Sequence, residues 1–151
     1  MKILYTGFKG KHNTSFKLVS TFEGEKVFLT NSFNGLKTDI DNINEKFDWV
    51  YMFGLDKNLK ESVRIEKCAE KERRRIYTTL DLESICKELS SENVNYFVSD
   101  EPTHYLCNEA YYYMLEKMSG KAVFIHIPSL KNMTEELMKK LSKSLDLTPR
   151  S

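Results

Sequence analysis

The sequence predicts an α/β fold, a sheet flanked by helices, and three observations predict it. Short apolar runs recur along the chain, and segments of helical spacing separate them. No repeat, low-complexity tract or linker interrupts the alternation. At 151 residues the chain suits one domain, spanning 1–151, around one hydrophobic core.

The elements follow in order. Met1-Lys2-Ile3-Leu4-Tyr5-Thr6-Gly7 holds too short an apolar run for a signal peptide, so residues 2–6 are expected to form a first strand. Val27, Phe28 and Leu29 place a second strand at 26–30, and the run from Trp49 to Phe53 a third at 49–53. Leu36, Ile40 and Ile43 recur at helical spacing, which predicts a helix over 36–46. Further helices are expected at 80–89 and 106–118, with strands at 94–98 and 122–127. The last helix has the clearest pattern. Asn132 with Glu135 resembles a capping box, and Leu137, Met138, Leu141 and Leu145 follow on one face.

Composition narrows the function classes. Hydrophobic residues make up 40% and charged residues 30%, a soluble balance, and the formal net charge of +1 gives no global attraction to nucleic acid or an anionic membrane. No apolar run approaches the roughly 20 residues of a membrane helix. Cys68, Cys86 and Cys107 are an odd set without an export signal, so reduced thiols and a cytoplasmic location are expected. No Cys or His pair has metal-ligand spacing, and neither a metal nor an organic cofactor is expected. The run Glu70-Lys71-Glu72-Arg73-Arg74-Arg75 reads as a solvated loop or strand edge, or as an anion site whose Arg forks suit a carboxylate.

The chemistry concentrates between Tyr96 and Pro128. A buried strand ending near Val98 runs into the loop Ser99-Asp100-Glu101-Pro102-Thr103-His104, and a helix begins at about Cys107. Helix N-termini carry unpaired N–H groups and the positive end of the dipole. A thiol there is expected to ionise more easily, and the N–H groups could hold an oxyanion. The next strand carries a lone polar residue, His126, near its end. If the two strands are neighbours, Cys107 and His126 share the carboxyl rim where α/β sites gather. Cys107 as a small buried hydrophobe and His126 as a hydrogen-bonded structural residue are the competing readings.

Three blocks of residues resemble the pyroglutamyl peptidase I (pyrrolidone-carboxylate peptidase) family. Met1-Lys2-Ile3-Leu4-Tyr5-Thr6-Gly7-Phe8, with Asn13 beyond it, is similar to the family's first strand and turn. Gly54-Leu55 followed by Ser62-Val63-Arg64-Ile65-Glu66-Lys67 resembles the segment holding the catalytic glutamate. Tyr105-Leu106-Cys107-Asn108 and Phe124-Ile125-His126-Ile127-Pro128 resemble the cysteine and histidine blocks. The resemblance implies a three-layer α/β/α domain with a mostly parallel twisted sheet. It implies Cys107 as nucleophile, His126 as base and Glu66 as orienter, with Asp100 and Glu101 as fallback orienters. Phe8, Asn13 and Asn108 fall at its substrate-binding positions.

The chain is a shortened and divergent version of that pattern. Only residues 70–79 stand where the family has an extended stretch walling the pocket, and Lys9-Gly10-Lys11-His12 replaces its Pro-Phe-Gly-Gly loop. The activity implied is a cysteine-type hydrolysis of N-terminal pyroglutamyl peptides, or of another small acyl amide bound at a cationic rim. The alternative is a catalytically weak relative that binds a peptide or small acid as an interaction module. Tyr111-Tyr112-Tyr113 exceeds what one helix face buries, which points to a homo-oligomer contact or to tyrosines with exposed hydroxyl tips.

Overall fold

A computed structural model of the chain describes residues 1–147. The elements in order are β1 (Ile3–Phe8), α1 (Thr14–Thr21), β2 (Glu25–Leu29), α2 (Phe33–Asp41), β3 (Trp49–Asp56), β4 (Ser62–Glu66), β5 (Cys68–Lys71), β6 (Arg74–Tyr77), α3 (Leu82–Ser91), β7 (Asn95–Ser99), α4 (Tyr105–Lys117), β8 (Ala122–Pro128) and α5 (Glu135–Leu145). Six strands form one sheet in the order β2-β1-β3-β8-β4-β7. β2, β1, β3 and β8 pair in parallel, whereas β4 and β7, parallel to each other, run against β8. Helices cover both faces, giving the three layers expected. α2 and α4 supply Leu36, Ile40, Tyr111 and Met114 to one core. α1, α3 and α5 supply Leu18, Val19, Ile85, Leu89, Leu141 and Leu145 to the other. Burying each such side chain contributes about 1.5–3 kcal/mol. β8 is buried along its whole length, and its apolar run is what a central strand covered on both faces requires. Among the described residues no helix is long and apolar enough to cross a membrane.

Several elements differ from the sequence expectation: α1 and β4 are additional, α5 has a different cap, and the charged run is a hairpin. α1 was not expected, because its buried face includes the hydroxyl residues Thr14 and Ser15 beside Leu18 and Val19, which hides the apolar period. Those hydroxyls are satisfied: Thr14 Oγ1 donates to the Pro128 carbonyl at 2.6 Å, and Ser15 Oγ accepts from the Phe8 N–H at 2.9 Å. Gly7 allows this close packing, since a Cβ there would meet the Ser15 carbonyl oxygen at 2.7 Å. The last helix is capped by Thr134, whose hydroxyl accepts from the Leu137 N–H, not by Asn132. Asn132 instead donates to the Leu59 carbonyl.

The charged run forms the antiparallel hairpin β5–β6. Its turn residues Glu72 and Arg73 both have positive φ, 51° and 66°, the twist a two-residue hairpin needs. The hairpin packs on α4, which also lies against α2 and the sheet. A helix covered on several sides can bury more than one face. Tyr111 and Tyr112 are accordingly buried within this chain. Tyr113 is partly buried against the same core, with the Lys37 and Lys71 ammonium groups over its ring. The tyrosine triplet therefore carries no argument for a subunit contact.

Candidate active site

Strand register builds the site. On one face of the sheet, Gly54 of β3 lies opposite His126 of β8, His126 opposite Arg64 of β4, and Arg64 opposite Phe97 of β7. Glu66, two residues after Arg64, shares that face because strand side chains alternate. Its Oε1 lies 3.0 Å from His126 Nδ1. A carboxylate only accepts, so Nδ1 carries a proton, and in the neutral imidazole Nε2 keeps its lone pair. The Glu66 backbone is fixed as well: Tyr111 Oη on α4 donates to its carbonyl at 2.7 Å.

Cys107 stands in the first turn of α4, four residues before Tyr111. Its sulfur occupies the space a side chain at Gly54 would fill, since a Cβ there would lie 2.8 Å from Sγ. Gly54 is the register partner of His126, so the thiol sits over the position beside the imidazole. The route to this arrangement corrects the sequence expectation. β7, which precedes Cys107, is not the neighbour of β8 and does not run with it; β4 lies between them. The loop 100–104 and the start of α4 bring the cysteine back over β3. At that start the N-cap residue His104 makes no side-chain hydrogen bond to the first turn, and Tyr105 has φ 61°.

Cys107, Glu66, Asp56 and Arg64 form one electrostatic cluster. Arg64 Nε donates to Glu66 Oε1 at 2.5 Å, and its Nη1 donates to Asp56 Oδ2 at 2.9 Å. Burial alone would raise the Asp56 carboxyl, but the Asn58 N–H and the Arg64 guanidinium hold it below its ordinary value. Arg64 is held in its charged form by Glu66 and Asp56 despite burial. The thiol behaves contrary to the expectation of easy ionisation. Burial first, then the Glu66 and Asp56 carboxylates, push Cys107 up to about 12, with Arg64 opposing. Desolvation and two nearby anions outweigh one helix terminus. Resting Cys107 is a neutral thiol.

The other named residues fall in different places. Phe8 is 3% exposed and packs in the core of the α2/α4 face. Asn13 caps α1, its Oδ1 accepting from the Ser15 N–H and hydroxyl. Asn108 spends its amide on the hairpin: Oδ1 accepts from the Glu70 N–H at 3.0 Å and Nδ2 donates to the Glu70 carbonyl at 2.7 Å. The fallback orienters lie on the surface, Asp100 paired with Lys67 and Glu101 with Arg75. Three cations of the basic run are paired, Lys71 with Glu109 and Arg74 with Glu116 on α4, and Arg75 with Glu70 in the hairpin. That pairing weakens the case for a cationic rim. Among the described residues no group of three or more His, Cys, Asp or Glu could hold a metal ion.

Sequence reasoning missed Asp56, Arg64 and Tyr111 as members of the site. Alternation along β4 is the signal that would have put Arg64 beside Glu66.

No protein-family model matches the chain, and no curated protein sequence matches it. Solved structures do match. A mutant pyrrolidone carboxyl peptidase from Pyrococcus furiosus superposes with TM-score 0.79 at 19% identity, covering 96% of each chain. The pyrrolidone carboxyl peptidase from Thermococcus litoralis gives 0.76 at 19% identity, over 96% of this chain and 92% of that one. The one from Thermus thermophilus gives 0.76 at 17%, over 96% and 98%. The fold of this chain is the fold of those peptidases, along nearly the whole length of both.

Proposed function

We propose that the chain is a cysteine hydrolase of the pyroglutamyl-peptidase type, cleaving a small acyl amide through a thioester on Cys107. The observation that carries this reading is the Glu66–His126 hydrogen bond set beside a cysteine sulfur that rests over Gly54. Likeness of fold to the pyrrolidone carboxyl peptidases and the sequence blocks around Glu66, Cys107 and His126 support it.

His126 Nε2 takes the Cys107 proton as sulfur attacks the acyl carbon, so the thiol need not be ionised beforehand. The oxygen that gains charge is met by the first-turn N–H groups of α4. Collapse breaks the carbon–nitrogen bond, and the imidazolium returns its proton to the leaving amine. Water then adds to the thioester with His126 again as base, releasing the acid and restoring the thiol. Glu66 holds Nδ1–H throughout and stabilises the imidazolium. These steps use side chains and backbone N–H groups of this protein together with one water. A reducing cytoplasm would preserve the free thiol they require.

The nominal acyl group is pyroglutamyl, but the pocket argues for a different selectivity. Loop 9–12 is exposed and carries no Phe, Tyr or Trp, while Phe8 is committed to the core. A compact lactam needs apolar walls and a few placed polar groups. We expect poor turnover of a fluorogenic pyroglutamyl amide and clearer Cys107-dependent release from other small acyl amides or esters. Assaying the wild type and Cys107→Ala against such a panel tests the reading. Cys107-dependent release from any member supports the hydrolase. Efficient and selective pyroglutamyl release would overturn the pocket argument alone, and no Cys107-dependent release would overturn the hydrolase in favour of a binding module.

A further inference from the structure

Arg64 is a partly buried cation of the site that the mechanism above leaves unused. Its side chain is 20% exposed and held at both ends, by Glu66 through Nε and by Asp56 through Nη1. Phe97, its register partner on the edge strand, covers the guanidinium at 5.9 Å from the ring centroid. His126 is its register partner on the other side. Glu66 Oε1 thus receives two donors, Arg64 Nε and His126 Nδ1.

We propose that Arg64 is a positioning residue, aiming the Glu66 carboxylate at Nδ1 and keeping a second proton off the Glu66–His126 pair so that Nε2 stays available. The inference rests on the triad reading given above.

The charge balance carries the argument. The charged groups set around His126 are Asp56 from β3 and Arg64 and Glu66 from β4, with the Cys107 thiol of α4 over Gly54, the register partner of His126. With Arg64 present, two carboxylates are set against one guanidinium. Without it, two carboxylates face one imidazole in a nearly dry site, and the pair takes up a proton at higher pH. The same guanidinium is the cation that opposes the rise of the Cys107 thiol, so one side chain acts on both ends of the proton transfer. Its fork geometry matters too. Nε and Nη1 serve two acceptors in fixed directions, which an ammonium cannot do.

The experiment titrates the His126 imidazole by NMR in the full chain, with His126→Gln used to assign its resonance against those of His12 and His104. In Arg64→Gln the midpoint should rise by about one unit, the lower end of what a charge at this range produces. Arg64→Lys should restore most of the midpoint but not the turnover, lowering kcat with KM unchanged. Asp56→Asn removes a carboxylate from the other end of the guanidinium, so its midpoint should fall. It provides the test should Arg64→Gln fail to fold. A midpoint that stays put or moves the wrong way in the folded variants overturns the proposal. The NMR reading does not depend on turnover, so an inactive wild type would overturn the hydrolase reading without being mistaken for failure of this one.

Discussion

Gly54→Ala tests the contact on which the nucleophile's placement depends. The added methyl would lie 2.8 Å from Cys107 Sγ, 2.7 Å from Phe124 Cζ and 3.0 Å from Phe124 Cε1. Ordinary contact begins at about 3.5 Å, so the sulfur must withdraw by roughly 0.7–1 Å. A shift near 1 Å in a reacting group lowers turnover by about 10²-fold. Overpacking against the Phe124 ring costs about 1–3 kcal/mol of stability, a fall in Tm of roughly 2–10 °C for a chain of this size. Turnover of whichever substrate shows Cys107-dependent release, normalised to folded protein, is read beside a calorimetric melt. The double variant Gly54→Ala/Phe124→Leu removes the ring clash and keeps the sulfur clash, so it should regain stability and remain slow. Turnover within a factor of two of wild type in Gly54→Ala would refute the placement of sulfur over Gly54. Recovered turnover in the double variant would shift the blame to the ring.

Labelling by limiting iodoacetamide should reach Cys86 before Cys107 at neutral pH, and the Cys107 rate should keep climbing well past pH 9, as a thiol pushed up to about 12 requires. A Cys107 rate that plateaus near pH 7 would contradict the neutral resting thiol. The same shift makes stability depend on pH. The neutral thiol is favoured in the fold, so its contribution is full below the free thiol's titration near ~8.5 and is lost as pH rises toward 12. Glu66→Gln keeps the shape but loses the charge that stabilises the imidazolium, so turnover should fall by about 10²-fold or more, with Arg64 still held by Asp56. Retained activity per folded molecule would make Glu66 structural. Asn108→Ala removes both bonds to the Glu70 backbone and should cost about 1–3 kcal/mol, with hydrogen exchange accelerating first in β5. Unchanged protection there would show that α4 and the hairpin are held together by other contacts.

The sheet was legible wherever burial left an unbroken apolar run. β1, β3 and β8 announce themselves in this way because helices cover both their faces. β4 does not, since Arg64 and Glu66 put charge on a buried face and the strand reads as mixed. Strand direction was not legible either. Opposed running of β4 and β7 against β8 is set by tertiary pairing, so the predicted route from Cys107 to His126 failed, and Cys107 Sγ instead comes over Gly54, the register partner of His126. Cys107 and His126 stood out locally, as a thiol after a Pro-containing loop and a lone polar residue in an apolar strand. Glu66 came from resemblance alone. Its Arg64–Asp56 partners stayed invisible because an ion-pair network is a property of adjacent strands, not of spacing. Ionisation of the thiol was misjudged for a related reason: a helix terminus shows in a sequence, whereas desolvation and neighbouring carboxylates emerge only on folding.

The account stands or falls on whether Cys107 carries the acyl group. Wild type and Cys107→Ala would be mixed with the best small acyl ester of the panel, quenched in acid within the first turnover and digested, and the peptide containing Cys107 weighed. A mass increase equal to the acyl group on Cys107 in the wild type, absent from the variant and accumulating further in Glu66→Gln as thioester hydrolysis slows, is the predicted result. Product release with no adduct on Cys107, or equal release by Cys107→Ala, would contradict it.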